Sequence, residues 1–186
     1  MLSENIKIKE GIDLHTINTN KFKTNIVSIF LSKKLERNNI TEEALIPAVL
    51  RLGTADKKTQ KELNKKLEEM YGANFNCGVE KRGDNHVLKF YLETINDDYC
   101  LENEPILQDA LNLLIDIVFN PLTENEAFNK KYVEGEKENL KRIIESRIDN
   151  KRAYAYTRCV EEMFKNQNYG LYEYGYIDDL KNIDEK

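Results

Sequence analysis

An α+β domain, an antiparallel sheet with helices packed on one face, is what the order of segments in this sequence predicts. Strand-like segments come first, and helical ones dominate after Pro105. Nowhere do strands and helices alternate regularly, as a parallel sheet requires. The 186 residues, 40% hydrophobic and 33% charged, suffice to bury one core, and no repeat, low-complexity tract or linker divides them. A single domain over residues 1–186 is therefore expected.

The elements follow from local chemistry. Residues 6–9 and 12–17 read as two short strands about Gly11, and residues 25–31 as a more buried third with Ile26, Val27, Ile29, Phe30 and Leu31. Thr41 is the expected N-cap of an apolar helix over residues 41–52, with Glu42 and Glu43 in the first turn, where carboxylates suit the helix dipole. Pro47 should kink that helix or mark its true start. Thr59-Gln-Lys-Glu62 is a capping box; Leu63, Leu67 and Met70 share a face, and Gly72 is a natural C-terminal stop. Residues 73–81 and 86–94 form two strands about the turn Arg82-Gly-Asp-Asn85.

Residues 106–119 are apolar on most sides and predict a buried helix, ended by Asn120-Pro121. Thr123-Glu-Asn-Glu126 resembles a second capping box, opening a long charged helix with a stripe of Phe128, Tyr132, Leu140, Ile143, Ile144 and Ile148. A last helix is expected over residues 152–165, with Tyr156, Cys159, Val160, Met163 and Phe164 inward.

Composition narrows function. A formal net charge of −5 argues against nucleic acid or an anionic membrane surface as the main partner, since both reward a basic face. No run of about 18 apolar residues occurs, and the basic-then-apolar layout of a leader is absent from the first residues, so a cytoplasmic protein is expected. Cys77, Cys100 and Cys159 stand far apart, an odd count that suggests reduced thiols. His15 and His86 each lie in a strand-like segment and fit no ligand spacing.

The segment Thr41-Glu-Glu-Ala-Leu-Ile-Pro-Ala-Val-Leu-Arg-Leu-Gly-Thr54 resembles the active-site helix of the insulinase/pitrilysin metallopeptidases, the family of the mitochondrial processing peptidases. There the stretch reads roughly Gly-Leu-Ala-His-Phe-Leu-Glu-His-Met-Leu-Phe-Lys-Gly-Thr, and its His-x-x-Glu-His core supplies two zinc ligands and a general base. Counting back from Gly53-Thr54, those positions fall on Ala44, Pro47 and Ala48. Tyr71-Gly-Ala-Asn-Phe-Asn-Cys77 is similar to the family's entry into an edge strand. Glu136-Lys137, Ile143-Ile144 and Asp149-Asn150 resemble its third-ligand region, which maps the ligand glutamate onto Ile143.

The resemblance implies a degenerate member without a cofactor, the N-terminal part of a longer chain, because methyl groups and a pyrrolidine ring offer zinc no lone pair. It also implies an extended-peptide edge at Asn76, Cys77 and Gly78, and a protein partner, either an active peptidase-type subunit or a second copy. A zinc-dependent peptidase active only with a missing half or partner chain is the alternative. A hydrolase rebuilt around Glu42, Glu43 or Asp97-Asp98 would need those carboxylates to converge. A domain that stops before the family's further strands is expected to leave a sheet edge or an apolar helix face uncovered and so to associate with another chain, the polar tail from Asp178 to Lys186 not being expected to fold back and seal it.

Overall fold

A computed structural model describes residues 2–101 and 104–186. Strands β1 (Leu2–Lys9) and β2 (Ile12–Asn18) form an antiparallel hairpin, closed where Gly11 takes a φ of 77°. All of its residues are exposed, including Ile6 and its cross-strand neighbour Leu14.

The main sheet holds β3 (Thr24–Lys34), β4 (Asn74–Arg82) and β5 (Asn85–Ile95) in the antiparallel order β3-β5-β4. Burial alternates along β5 from Leu88 onward, after a buried run of His86, Val87 and Leu88. His86, Leu88, Phe90, Leu92 and Thr94 are buried, whereas Lys89, Tyr91 and Glu93 face the other way and are partly exposed. Facing partners Phe75, Cys77 and Val79 on β4 and Val27 and Ile29 on β3 complete the inner face, since paired residues share a side.

Helices α1 (Ile40–Leu50) and α3 (Ile106–Phe119) cover that face, with α2 (Gln60–Glu69) between them in sequence, so the α+β reading holds. Leu45, Leu50, Leu63, Leu92, Leu114 and Ile117 are among the buried core residues. The capping box on α2 forms in both directions: the Thr59 hydroxyl accepts from the Glu62 N–H and the Glu62 carboxylate from the Thr59 N–H. Helix α4 (Lys130–Ser146) packs on α1 through Val133, Leu140 and Ile144, and α5 (Lys151–Met163) follows.

Several sequence expectations are corrected. The helix over Thr41 starts at Ile40 behind Asn39, and Thr41 is buried inside its first turn. Its hydroxyl is taken by the returning chain, donating to Asp179 at 2.6 Å and accepting from the Tyr176 N–H at 3.0 Å. Pro47 does not mark the start of the helix. It lies inside, and the Arg51 N–H still donates to its carbonyl at 3.3 Å.

The capping box at Thr123 does not form. Thr123–Glu124 (β6) pairs with Ala127–Phe128 (β7) across a tight turn in which Asn125 and Glu126 take φ of 53° and 62°. A left-handed Glu126 cannot sit at the third helical position, and α4 starts later, where the Asn129 side chain accepts from the Lys131 N–H at 3.0 Å. Phe128 is thus in a strand, and Ile143 and Ile148 are exposed.

On α3 the apolar residues split. Ala110, Leu113, Leu114 and Ile117 are buried, but Leu107, Leu111, Ile115 and Phe119 form an exposed stripe at four-residue spacing. Helix α5 buries nothing completely, and Tyr156 and Met163 are each 71% exposed, because few described residues lie against it.

The acidic tail docks rather than trailing. Leu180 is buried, the Lys137 ammonium donates to the Ile183 carbonyl at 3.0 Å, and the Phe128 N–H donates to the Glu185 carbonyl at 2.8 Å. Gly175 makes this close approach feasible: its φ is 74°, and a Cβ there would collide with Thr41.

Candidate functional site

One face of α1 meets β4 and α4 along a cleft of about 510 Å³. Ala44, Pro47 and Ala48 recur at three- and four-residue spacing, hence on one side of the helix, and all three line it. Ile143 of α4 lines the same cleft from the facing helix. Four positions nearly a hundred residues apart in sequence at their extremes therefore converge on one space. Cys77 and Gly78 of β4 border it too, while Asn76, on the same strand, points to the opposite face of the sheet.

The chemistry of this cleft is set by what its walls lack. Three methyl-bearing or ring side chains form the floor, Leu140 adds another apolar surface, and Arg51, Glu136, Asn139 and Tyr174 stand around it. Zinc needs about three protein ligands with lone pairs. Cys77 and Glu136 are the cleft's only sulfur and carboxylate side chains among the described lining residues, so the donor set does not fit the metal. The Cys77 thiol is moreover held protonated. Burial pushes it up to about 11, and its Sγ–H donates to the Pro47 carbonyl at 3.2 Å. It is therefore a poor nucleophile near neutral pH.

The other carboxylates do not converge on the cleft. Glu43 turns to the sheet, where one oxygen receives the Lys33 ammonium at 2.7 Å and the other lies 2.9 Å from Nδ1 of the fully buried His86. The Nε2 of His86 lies 2.9 Å from the Glu173 carbonyl, so this histidine is satisfied within the core. Glu42 is exposed, Asp97 accepts from the Leu107 N–H at 3.0 Å, and Asp98 sits in a surface turn. Among the described residues no group of three or more His, Cys, Asp or Glu side chains is arranged to hold a metal ion.

β4 is an outer strand of its sheet. It pairs with β5 on one side only, which leaves the outward backbone groups of residues 76–78 without a strand partner among the described residues. Sequence reasoning had named these edge residues and the apolar floor. It had not placed Arg51 or Glu136 at the cleft, and it missed Tyr174. Tyr174 arrives with the returning C-terminal segment, and nothing in its local pattern signals that.

No protein-family model matches the chain. It is 36% identical over 173 residues to YmfF of Bacillus subtilis (strain 168), described as a probable inactive metalloprotease. The match covers 93% of this chain but 41% of that relative, so the chain spans less than half the length of the curated protein it matches. The chain has the fold of the insulinase/pitrilysin type. A conserved protein from Enterococcus faecalis V583 superposes with a TM-score of 0.89 at 27% identity, over 98% of this chain and 43% of that one. Pitrilysin itself superposes at 0.62 and 18% identity over 96% of this chain and 18% of its own, a likeness of fold alone. In this fold Ala44, Pro47, Ala48 and Ile143, whose side chains carry no lone-pair donor, line one cleft.

Proposed function

We propose that the chain is a non-catalytic, metallopeptidase-like domain that serves as the partner of an active peptidase and receives extended peptide at the edge of β4. The observation that carries this reading is the apolar floor of Ala44, Pro47 and Ala48 directly beside that edge. Strand addition needs only free backbone N–H and C=O groups and side-chain pockets, so binding can outlast the loss of a metal. The description of YmfF as inactive supports the same reading.

A chain without its own catalytic groups contributes to proteolysis only through a second chain that has them. The partner is therefore a peptidase-type subunit with an intact His-x-x-Glu-His. We assign the protein to the cytoplasm on its three free thiols. Among the described residues no helix is long and apolar enough to cross a membrane.

The test is a purification of the full-length protein from its host without metal chelators. The expected result is no stoichiometric zinc on this chain, no peptide cleavage by it alone, and co-purification of a chain that carries the intact motif. Elemental analysis giving close to one zinc per chain, with peptide hydrolysis, would overturn the reading.

A further inference from the structure

Two depressions meet at the edge of β4. One is the cleft described above; the other, about 270 Å³, opens on the opposite face of the sheet, between Asn76, Glu80, Lys89 and Tyr91. Cys77, Gly78 and Val79 line both. Gly78 contributes no side chain to the second depression, and a Cβ there would stand in open space. Lys89 is the cross-strand neighbour of Gly78 and, among the described residues, makes no ion pair. Glu80 is already engaged by Arg82 at 2.9 Å.

A strand added to this edge sends successive side chains to opposite faces. The residue beside Cys77 points into the apolar cleft over Ala44, Pro47 and Ala48. The residue beside Gly78 points to the other face, where no side chain separates it from the Lys89 ammonium. The cleft rim carries both Arg51 and Glu136, so it adds no net preference for charge.

We propose that the β4 edge selects an extended peptide in which a large apolar residue is adjacent to an acidic one. The proposal rests on the peptide-binding reading above and adds the class of peptide.

The test is fluorescence anisotropy of a labelled peptide, Gly-Ser-Glu-Leu-Ser-Gly, titrated with the full chain. Replacing its Leu by Gly should weaken binding about tenfold, the effect of losing one buried aliphatic side chain. Replacing its Glu by Lys should weaken binding about fivefold, and Lys89→Glu, checked for folding by circular dichroism, should restore the lost affinity. Equal affinity for all three peptides would overturn the selectivity and leave strand addition standing. Failure of every peptide to bind the folded protein overturns both readings. So does light scattering that shows a second copy holding the edge as a dimer which peptide does not dissociate.

Discussion

The Cys77 thiol donates to the Pro47 carbonyl at 3.2 Å, joining the edge strand to the helix position that in the family resemblance carries the general base. Pro47 contributes no side-chain proton, and the same carbonyl also accepts from the Arg51 N–H. The cleft is thus closed at this point by packing and a weak sulfur hydrogen bond rather than by metal ligation.

Cys77 should therefore resist alkylation. Its thiol is pushed up to about 11, so at pH 8 only about one molecule in a thousand carries the thiolate. Iodoacetamide at pH 8, followed by mass spectrometry of the folded protein, should modify the exposed Cys159 and leave Cys77 intact. Equal labelling of both would contradict the half-buried, hydrogen-bonded state.

Restoring donors tests the mapping of the four positions. Ala44→His, Ala48→His and Ile143→Glu together supply three ligands to one cleft, and the triple variant should bind zinc where the parent does not. Isothermal titration with zinc chloride measures this. A triple variant that folds and takes up no zinc would show that Ile143 is not the third-ligand position.

The two threonines that resemble each other in sequence should differ in energy. Thr59 caps α2 reciprocally with Glu62, so Thr59→Ala should cost about 0.5–2 kcal/mol. Thr123 lies exposed in β6 and caps nothing, so Thr123→Ala should stay within about 0.5 kcal/mol of the parent. Urea denaturation of both variants decides it.

Asp179 holds the returning tail. It accepts two bonds from Arg37, at 2.6 and 3.0 Å, and one from the Thr41 hydroxyl at 2.6 Å. The Arg37 guanidinium, aided by Thr41, holds its carboxyl below the usual range. With the folded pKa depressed, the unfolded chain binds more protons in that window. The contribution to stability is therefore complete above the ordinary carboxylate range of about 4 and is lost as pH falls through the folded value. Asp179→Asn should cost about 1 kcal/mol at neutral pH, allowing for the exposure of Arg37, and the gap to the parent should narrow in urea titrations as pH falls below the ordinary carboxylate range.

Elements whose determinants are local were legible in the sequence. The helix over residues 106–119, the capped α2 and the β4–β5 hairpin rest on apolar periodicity, side-chain caps and a turn glycine, all within a few residues of one another. That the side chains of Ala44, Pro47 and Ala48 offer a metal no donor atoms was legible for the same reason, since side-chain chemistry is the same in any fold. Thr41 and α5 were misjudged because their outcomes depend on distant partners, and Thr123 because the left-handed turn at Asn125 and Glu126 makes a hairpin where a helix start was expected. The Thr41 hydroxyl serves Asp179 and the Tyr176 N–H, over a hundred residues away, and the apolar residues of α5 find little to pack against.

The amino-acid sequence by itself determined which side chains this protein can bring to a site, and so that its cleft holds methyl groups instead of imidazoles. Only the tertiary structure decided which of them meet. Ile143 reaches Ala44 and Ala48 because α4 packs on α1, and Tyr174 joins them because Gly175 lets the chain pass close to Thr41. Cys77 and Gly78 acquire two faces with different chemistry because β4 ends the sheet. The physical reason is range: propensity and donor chemistry act within one turn or strand, whereas clefts and edges arise from burial of apolar faces brought together from across the chain.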